Sequence, residues 1–324
     1  IVGCEVYVAA RSRFDKDKNV REDRSGRHLI LLARNWTGYR NLSRIVSYSF
    51  SEGMYYTPRV DKELLRKYSE GLIACSACLG GELPQAILKY NAYDPHNPIP
   101  TAFDLEAADK IVEEYKSIFG NDYYFELQLN GHREQVLVNK AIKELSLKHK
   151  VRCIATNDVH YVNREDYEAH KMLICINTRK DFFSGEGSMQ DEDSDNGFAY
   201  SGEEYLKTTA EMEAIFADYP EAIINTQQLV NKIEVFKLTA PPSLPKFKVP
   251  TPFKSEYDYL EHLTLEGAKK RWPELNETIR QRLDFELGTI KRMGFPGYFL
   301  IVRDFINAGK ELGIRFGPGR GSAA

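Results

Sequence analysis

The sequence predicts an α/β fold over residues 1–238 and a mostly helical segment over residues 239–324. Three observations carry this. Short apolar, β-prone runs alternate with segments of helical periodicity in the first part. A Pro-rich stretch, "TAPPSLPKFKVPTP" (239–252), then excludes helix and central strand and reads as an extended connector. Beyond it the apolar residues recur only at helical spacing.

In order, Cys4–Ala9 and His28–Ala33 read as strands. Thr37–Ser47 reads as a helix that Thr37 can cap, with Leu42, Ile45 and Val46 on one face. Leu72–Cys75 is a strand. Asp104–Phe119 is a helix with Ala107, Ile111, Tyr115 and Ile118 in register. Tyr123–Leu129 is a strand, His132–Lys148 a helix, Val151–Thr156 a strand and Arg164–Ile176 a helix. Such alternation implies parallel pairing through crossovers, which a barrel or an open doubly wound sheet would satisfy. "SGEGSMQDEDSDNG" (184–197) lacks periodicity and reads as a loop. Ser255–Trp272, Glu277–Met293 and Tyr298–Leu312 read as helices, with "GFPG" (294–297) breaking the last two apart. "GIRF" (313–316) reads as a short strand.

Composition narrows the class. Hydrophobic residues make up 42% and charged residues 28%, as in globular chains. No apolar run approaches the roughly 20 residues of a membrane span, so no membrane partner is expected. Five cysteines are too few for a disulfide framework, and a cytoplasmic location is expected. The chain opens inside an apolar run without an initiator Met, from which we expect further chain before Ile1. Residues 239–324 hold 14 basic and 10 acidic side chains against a net charge of −3 for the whole. A mildly basic tail behind an acidic body suits a phosphate-bearing partner.

Two constellations carry chemistry. In "ATNDVHY" (155–161) a strand ends on Asp158 and His160, two residues apart. On an extended strand both would face one spot at its C-terminal end. A carboxylate and an imidazole there can hold Zn²⁺, Mn²⁺ or Fe²⁺, or can simply bond to each other and pin the turn. Glu5 sits within an apolar strand, where its charge needs a metal or an Arg. His28 opens another strand, and Cys78 lies in the glycine-rich loop after Leu72–Cys75. Cys75 and Cys78 form a C-x-x-C pair without the second pair of a structural zinc site. Cys153 and Cys175 fall on apolar faces, whereas His96, His132, His149 and His262 fall in polar segments and read as surface. His170 follows the D-x-H turn as a packing or supporting residue. The second constellation is "GPGRGSAA" (317–324). Its glycines free backbone N–H groups for an anion, and Arg320 and Ser322 add donors, though it lacks the ending of a P-loop.

At these residues the sequence resembles the α (catalytic) subunit family of bacterial DNA polymerase III. The resemblance rests on "TGYRNLSRI" (37–45), "GLIACSACLGGE" (71–82), "ATNDVHY" (155–161), "MGFPGYFLIV" (293–302) and "GPGRGSAA" (317–324), in the family's order. It implies a polymerase-and-histidinol-phosphatase (PHP) domain over 1–238, a distorted β/α barrel, and the start of a polymerase palm over 239–324. It further implies a divalent metal cluster, zinc or manganese, held by Glu5, His28, Cys78, Asp158 and His160. The family's H-x-H pair and a further Asp/His motif would lie before Ile1, and the Mg²⁺-binding catalytic aspartates after Ala324. Gly319, Arg320, Gly321 and Ser322 would contact the incoming nucleotide's phosphates. The implied partners are primer-template DNA, dNTPs, a sliding clamp and a proofreading exonuclease. The implied activity is template-directed DNA synthesis, which this chain alone would not complete. The competing readings are a stand-alone PHP-type metal-dependent phosphoesterase and a non-enzymatic scaffold that binds the proofreading subunit.

Overall fold

A computed structural model describes residues 1–91, 102–178, 200–239, 243–317 and 319. The chain divides into two compact units, Ile1–Phe236 and Lys237–Ala324.

Among its described residues the first unit is built on seven strands: β1 (Gly3–Val8), β2 (Arg27–Ala33), β3 (Met54–Tyr55), β4 (Thr57–Val60), β5 (Leu72–Cys75), β6 (Tyr123–Leu127) and β7 (Arg152–Ala155). Their spatial order is β3-β4-β1-β2-β5-β6-β7. Pairing is mixed, which corrects the all-parallel expectation. β1 runs antiparallel to β2, and β2 antiparallel to β5, whereas β5-β6-β7 and β1-β4 are parallel. Residues 9–26 join β1 to β2 with only a single 3₁₀ turn, Arg21–Arg24, and no crossover helix. A helix-free link returns the chain antiparallel, and a parallel return needs a crossover.

Strand alternation gives the sheet two different faces. On one, Val6, Val8, Leu29, Leu31 and Phe125 meet α1 (Trp36–Ser51), α2 (Lys62–Tyr68), α3 (Glu82–Tyr90), α4 (Glu106–Phe119) and α5 (Arg133–His149) in the main core. On the other, Ile73, Cys75, Tyr124 and Ile154 form a smaller cluster with Ile30, Leu32 and Leu229. β5 and β6 are buried at every residue, as central strands covered on both sides should be. α6 (Tyr167–Thr178) and α7 (Thr209–Ile215) precede α8 (Pro220–Asn231), which supplies Leu229 and fixes β7 by side-chain bonds: Asn225 Nδ2 donates to the Cys153 carbonyl (2.9 Å), and the Ala155 amide to Thr226 Oγ1 (3.1 Å).

The β3–β4 hairpin, α2, α3, α7 and α8 were not foreseen. Around the hairpin, the fully buried Arg59 donates to the carbonyls of Gly53 and Asp15 (3.3 and 2.8 Å). Nearby Arg13 pairs with Asp61 (2.9 Å), whose carboxylate also caps α2 through the Leu64 amide (2.9 Å). Buried charge is thus met by partners throughout this corner.

In the second unit, residues 243–250 form neither helix nor strand. α9 (Glu256–Arg271), α10 (Glu277–Arg292) and α11 (Pro296–Glu311) follow, with Leu260, Leu287 and Leu300 as the buried centre. "GIRF" is irregular chain and not the expected strand. Among the described residues of this unit there is no other strand to pair with it, and an unpaired strand is not stable. Residues 184–197 lie outside the described residues.

Candidate metal centre

β1 and β2 supply the first two donors. Tyr7 faces His28 across the antiparallel pair, and Glu5 lies two residues before Tyr7, so all three share one side of the sheet. It is the side opposite Val6 and Val8, away from the main core. Glu5 is therefore 37% exposed in its side chain, not buried as its apolar neighbours suggested. Its Oε1 lies 3.3 Å from His28 Nδ1, and the Tyr7 ring packs edge-on against the imidazole at 5.2 Å.

The third donor arrives on the loop after β5. Cys78 Sγ lies 3.4 Å from His28 Nδ1, and one ligand atom from each of Glu5, His28 and Cys78 falls within 4.8 Å of the others. The loop closes over His28 because Gly80 and Gly81 have no side chains. A Cβ at Gly80 would lie 3.0 Å from His28 Nδ1, and one at Gly81 would run into the Ser76 carbonyl at 2.2 Å. The His28 amide donates to the Gly80 carbonyl (3.1 Å), which completes the closure.

Asp158 and His160 come from the turn after β7. His160 Nε2 lies 3.6 Å from Asp158 Oδ1, so the two do converge. The route differs from strand alternation, because β7 ends at Ala155 and Asp158 has a φ of +47°. The turn is held from outside the strand. The His160 amide donates to the Glu204 carbonyl (2.8 Å), and Asn157 Nδ2 to the Tyr205 carbonyl (2.6 Å). The Tyr200 hydroxyl lies 3.2 Å from His160 Nδ1, which leaves Nε2 toward Asp158. His170 stacks beside this group, its ring 5.7 Å from that of His160.

Ala77, next to Cys78, has a φ of +62°. Non-glycine residues in this region cost on the order of 1–2 kcal/mol each and gather where function demands them. Two of them border the same site here.

The electrostatics fit a cation. Burial, and then the charge of Asp158, push the Cys78 thiol well above its ordinary range; Glu5 and Glu126 push the same way. Glu126, on β6, was missed by sequence reasoning. It is 7% exposed, and burial raises its carboxyl to about 7 against the pull of hydrogen bonds from Thr156 and Ala77. The charges of Asp158 and Glu5 also act on it. Asp158 and Glu5 thus raise the cost of ionising both Cys78 and Glu126, with no Lys or Arg among the causes. A divalent ion would relieve that repulsion and hold the thiol as thiolate. Carboxylate, imidazole and thiolate donors suit a divalent transition-metal ion. The signal for Glu126 was available in "YFELQ", an acid inside an apolar strand.

Of the histidines read as surface, His149 meets Asp109 at 2.6 Å, His132 meets Glu204 at 3.3 Å and the His262 ring lies 4.9 Å from that of Phe253, while His96 lies outside the described residues. Cys153 and Cys175 are buried, as expected. Of the nucleotide-phosphate candidates, Arg320, Gly321 and Ser322 lie outside the described residues. Gly319 is described, with open space where a side chain would be.

The PHP domain family model matches residues 1–130, which hold the sheet from β1 to β6 and the donors Glu5, His28 and Cys78. A second model, bacterial DNA polymerase III alpha NTPase domain, matches residues 258–324. The whole chain is 42% identical to the DNA polymerase III subunit alpha of Borreliella burgdorferi and 40% identical to that of Treponema pallidum, covering 26% of each. It is 34% identical to that of Thermus aquaticus, covering 30%. The chain is thus similar along its whole length to DNA polymerase III alpha subunits and spans about a quarter of the length of these relatives. It carries the PHP-type α/β domain and the start of the polymerase region. No helix among the described residues is long and apolar enough to cross a membrane.

Proposed function

We propose that the chain serves template-directed DNA synthesis as part of a DNA polymerase III alpha subunit, with a divalent metal centre in its PHP domain. The reading is supported by two features on one chain: a cluster of metal donors and a polymerase-type segment. A stand-alone phosphoesterase would have no use for the second. Glu5, His28 and Cys78 hold one ion, and Asp158 and His160 complete the centre from the facing turn. Bound metal would supply a Lewis acid for phosphate-ester chemistry. The Tyr200 hydroxyl orients the His160 ring, and the glycine pair keeps the Cys78 loop against His28. In the second unit, Gly319, Arg320, Gly321 and Ser322 receive the phosphates of a dNTP, while Mg²⁺ serves the polymerase reaction of the whole subunit. Its setting is the bacterial cytoplasm, with primer-template, sliding clamp and proofreading exonuclease as partners.

Five donors suffice for about one or two ions, given the four ligands each usually needs. Elemental analysis after dialysis against Zn²⁺ or Mn²⁺ tests this. We expect bound metal in the chain and its loss in Cys78→Ser; a chain that retains none would end the metal reading. The phosphate cradle is tested separately. Arg320→Ala in a polymerase carrying this whole sequence should lower dNTP incorporation by on the order of 10², and unchanged kinetics would remove its support. A second reading, hydrolysis of phosphate esters at the PHP centre, is favoured by the presence of all five donor-type residues. Metal-dependent cleavage of bis-p-nitrophenyl phosphate, absent in Asp158→Asn, would support it.

A further inference from the structure

We propose that Glu126 is a positioning residue of the metal centre, clasping the Cys78 loop with one carboxylate oxygen and the Asp158 turn with the other. The inference rests on the metal reading above and assigns a role to a residue outside the donor set.

Glu126 Oε1 accepts from the Ala77 amide at 3.0 Å. Its Oε2 accepts from the Thr156 hydroxyl at 2.7 Å. Ala77 immediately precedes Cys78, and Thr156 stands two residues before Asp158. Ala77 and Asp158 both have positive φ, a backbone state that persists only where neighbours enforce it. The clasp lies where three strands end together. The Glu126 amide donates to Ser76 Oγ (2.9 Å), the Ser76 amide to the Tyr124 carbonyl (3.0 Å) and the Thr156 amide to the Leu127 carbonyl (3.1 Å). Gln128 Nε2 also donates to Thr156 Oγ1 (3.3 Å), so that hydroxyl's own proton is directed at Glu126.

The chemistry of the clasp calls for a carboxylate. Two donors approach it from two different strand ends, and each needs an acceptor. A glutamine can keep the Ala77 arm through its one oxygen, but its NH₂ group must then reverse the other bond and donate to a Thr156 hydroxyl that already accepts from Gln128. Each oxygen is held by one of these bonds, and Glu126 is not one of the three grouped donors Glu5, His28 and Cys78. Its work is to fix the spacing between Cys78 on one loop and Asp158 on the other. Partners that orient metal ligands in this way typically change affinity by about 10–100-fold when lost.

The test is a Co²⁺ titration of the whole chain, read by the thiolate-to-cobalt charge-transfer band. Cys78→Ser should abolish the band and thereby assign it. Glu126→Gln reverses the bond to Thr156 and Thr156→Val removes it, so both act on the same arm. Each should weaken Co²⁺ binding by about 10-fold or more, with helical circular dichroism unchanged, and the double variant should be no worse than either single. Unchanged affinity in both, or losses that add in the double variant, would overturn the clasp. Val112→Ala, in the main core, is the control for general destabilisation; an equal loss there would also overturn it. A wild-type chain that gives no band would overturn the metal centre, and the clasp's purpose with it. A band present in the wild type and untouched in the variants would overturn the clasp alone.

Discussion

Glu204 shows how one buried side chain can govern a turn. It is 2% exposed, and its carboxylate accepts from the Ser201 amide (3.0 Å), the Ser201 hydroxyl (2.9 Å) and the Gly202 amide (3.0 Å), with His132 at 3.3 Å. Burial alone would raise its carboxyl, but His132 and Ser201 outweigh burial and hold it at about 2. Because the folded value lies below the ordinary 4.5, its stabilisation is fully present above pH 4.5 and is lost as the pH falls toward 2. Melting curves across that window should show the loss. Glu204→Gln should cost about 2 kcal/mol near neutrality and flatten the acid dependence attributable to this group. An unchanged acid profile would show that the hub does not contribute. At the same scale, the candidate site was partly legible. Residue type singled out Glu5, His28, Cys78, Asp158 and His160 as candidates, and only the family resemblance joined them into one ligand set; the fold brings the first three together and the last two together. Glu126 and Glu204 escaped because their partners are backbone amides and distant side chains, which no local spacing encodes.

At the scale of elements, hydrophobic periodicity located strands and helices better than it located their caps and faces. α1 was expected to start on Thr37. It begins one residue earlier, and Asn35 accepts from the Gly38 amide (3.0 Å), while Thr37 is exposed. Asn35→Ala should therefore cost about 1 kcal/mol and Thr37→Ala only a few tenths, as urea denaturation would read. The reverse order would restore the sequence expectation. α4 buries Ala108, Val112, Tyr115 and Phe119, a stripe one residue round from Ala107, Ile111 and Ile118, which are half-buried or exposed. Both stripes are apolar, and only the position of the neighbouring strands and helices chooses between them. The antiparallel β1–β2 pair was likewise hidden, because strand direction depends on the path of residues 9–26 and not on the strands' own composition.

At the scale of the molecule, the two units differ in how much core each owns. All five metal candidates lie in Ile1–Phe236, which contains the extensive main core. A chain ending at Phe236 is expected to fold and to bind metal as the whole chain does, by calorimetry and elemental analysis. Failure of that shorter chain to fold would show that the first unit depends on the second. Among the described residues of Lys237–Ala324, the buried cluster at the centre is Leu260, Leu287 and Leu300, too little for a segment of this size to be robust in isolation. One consequence follows from the pairing of β1 with β2. Glu5 and His28 reach the same pocket only because Tyr7 sits opposite His28. Lengthening or shortening the chain between residues 9 and 26 leaves that match alone, although it strains the bonds of Arg13 to Asp61 and of the Asp15 carbonyl to Arg59. Removing a single residue within either strand would turn carboxylate and imidazole to opposite sides of the sheet, and the pocket would be lost without any donor having been mutated.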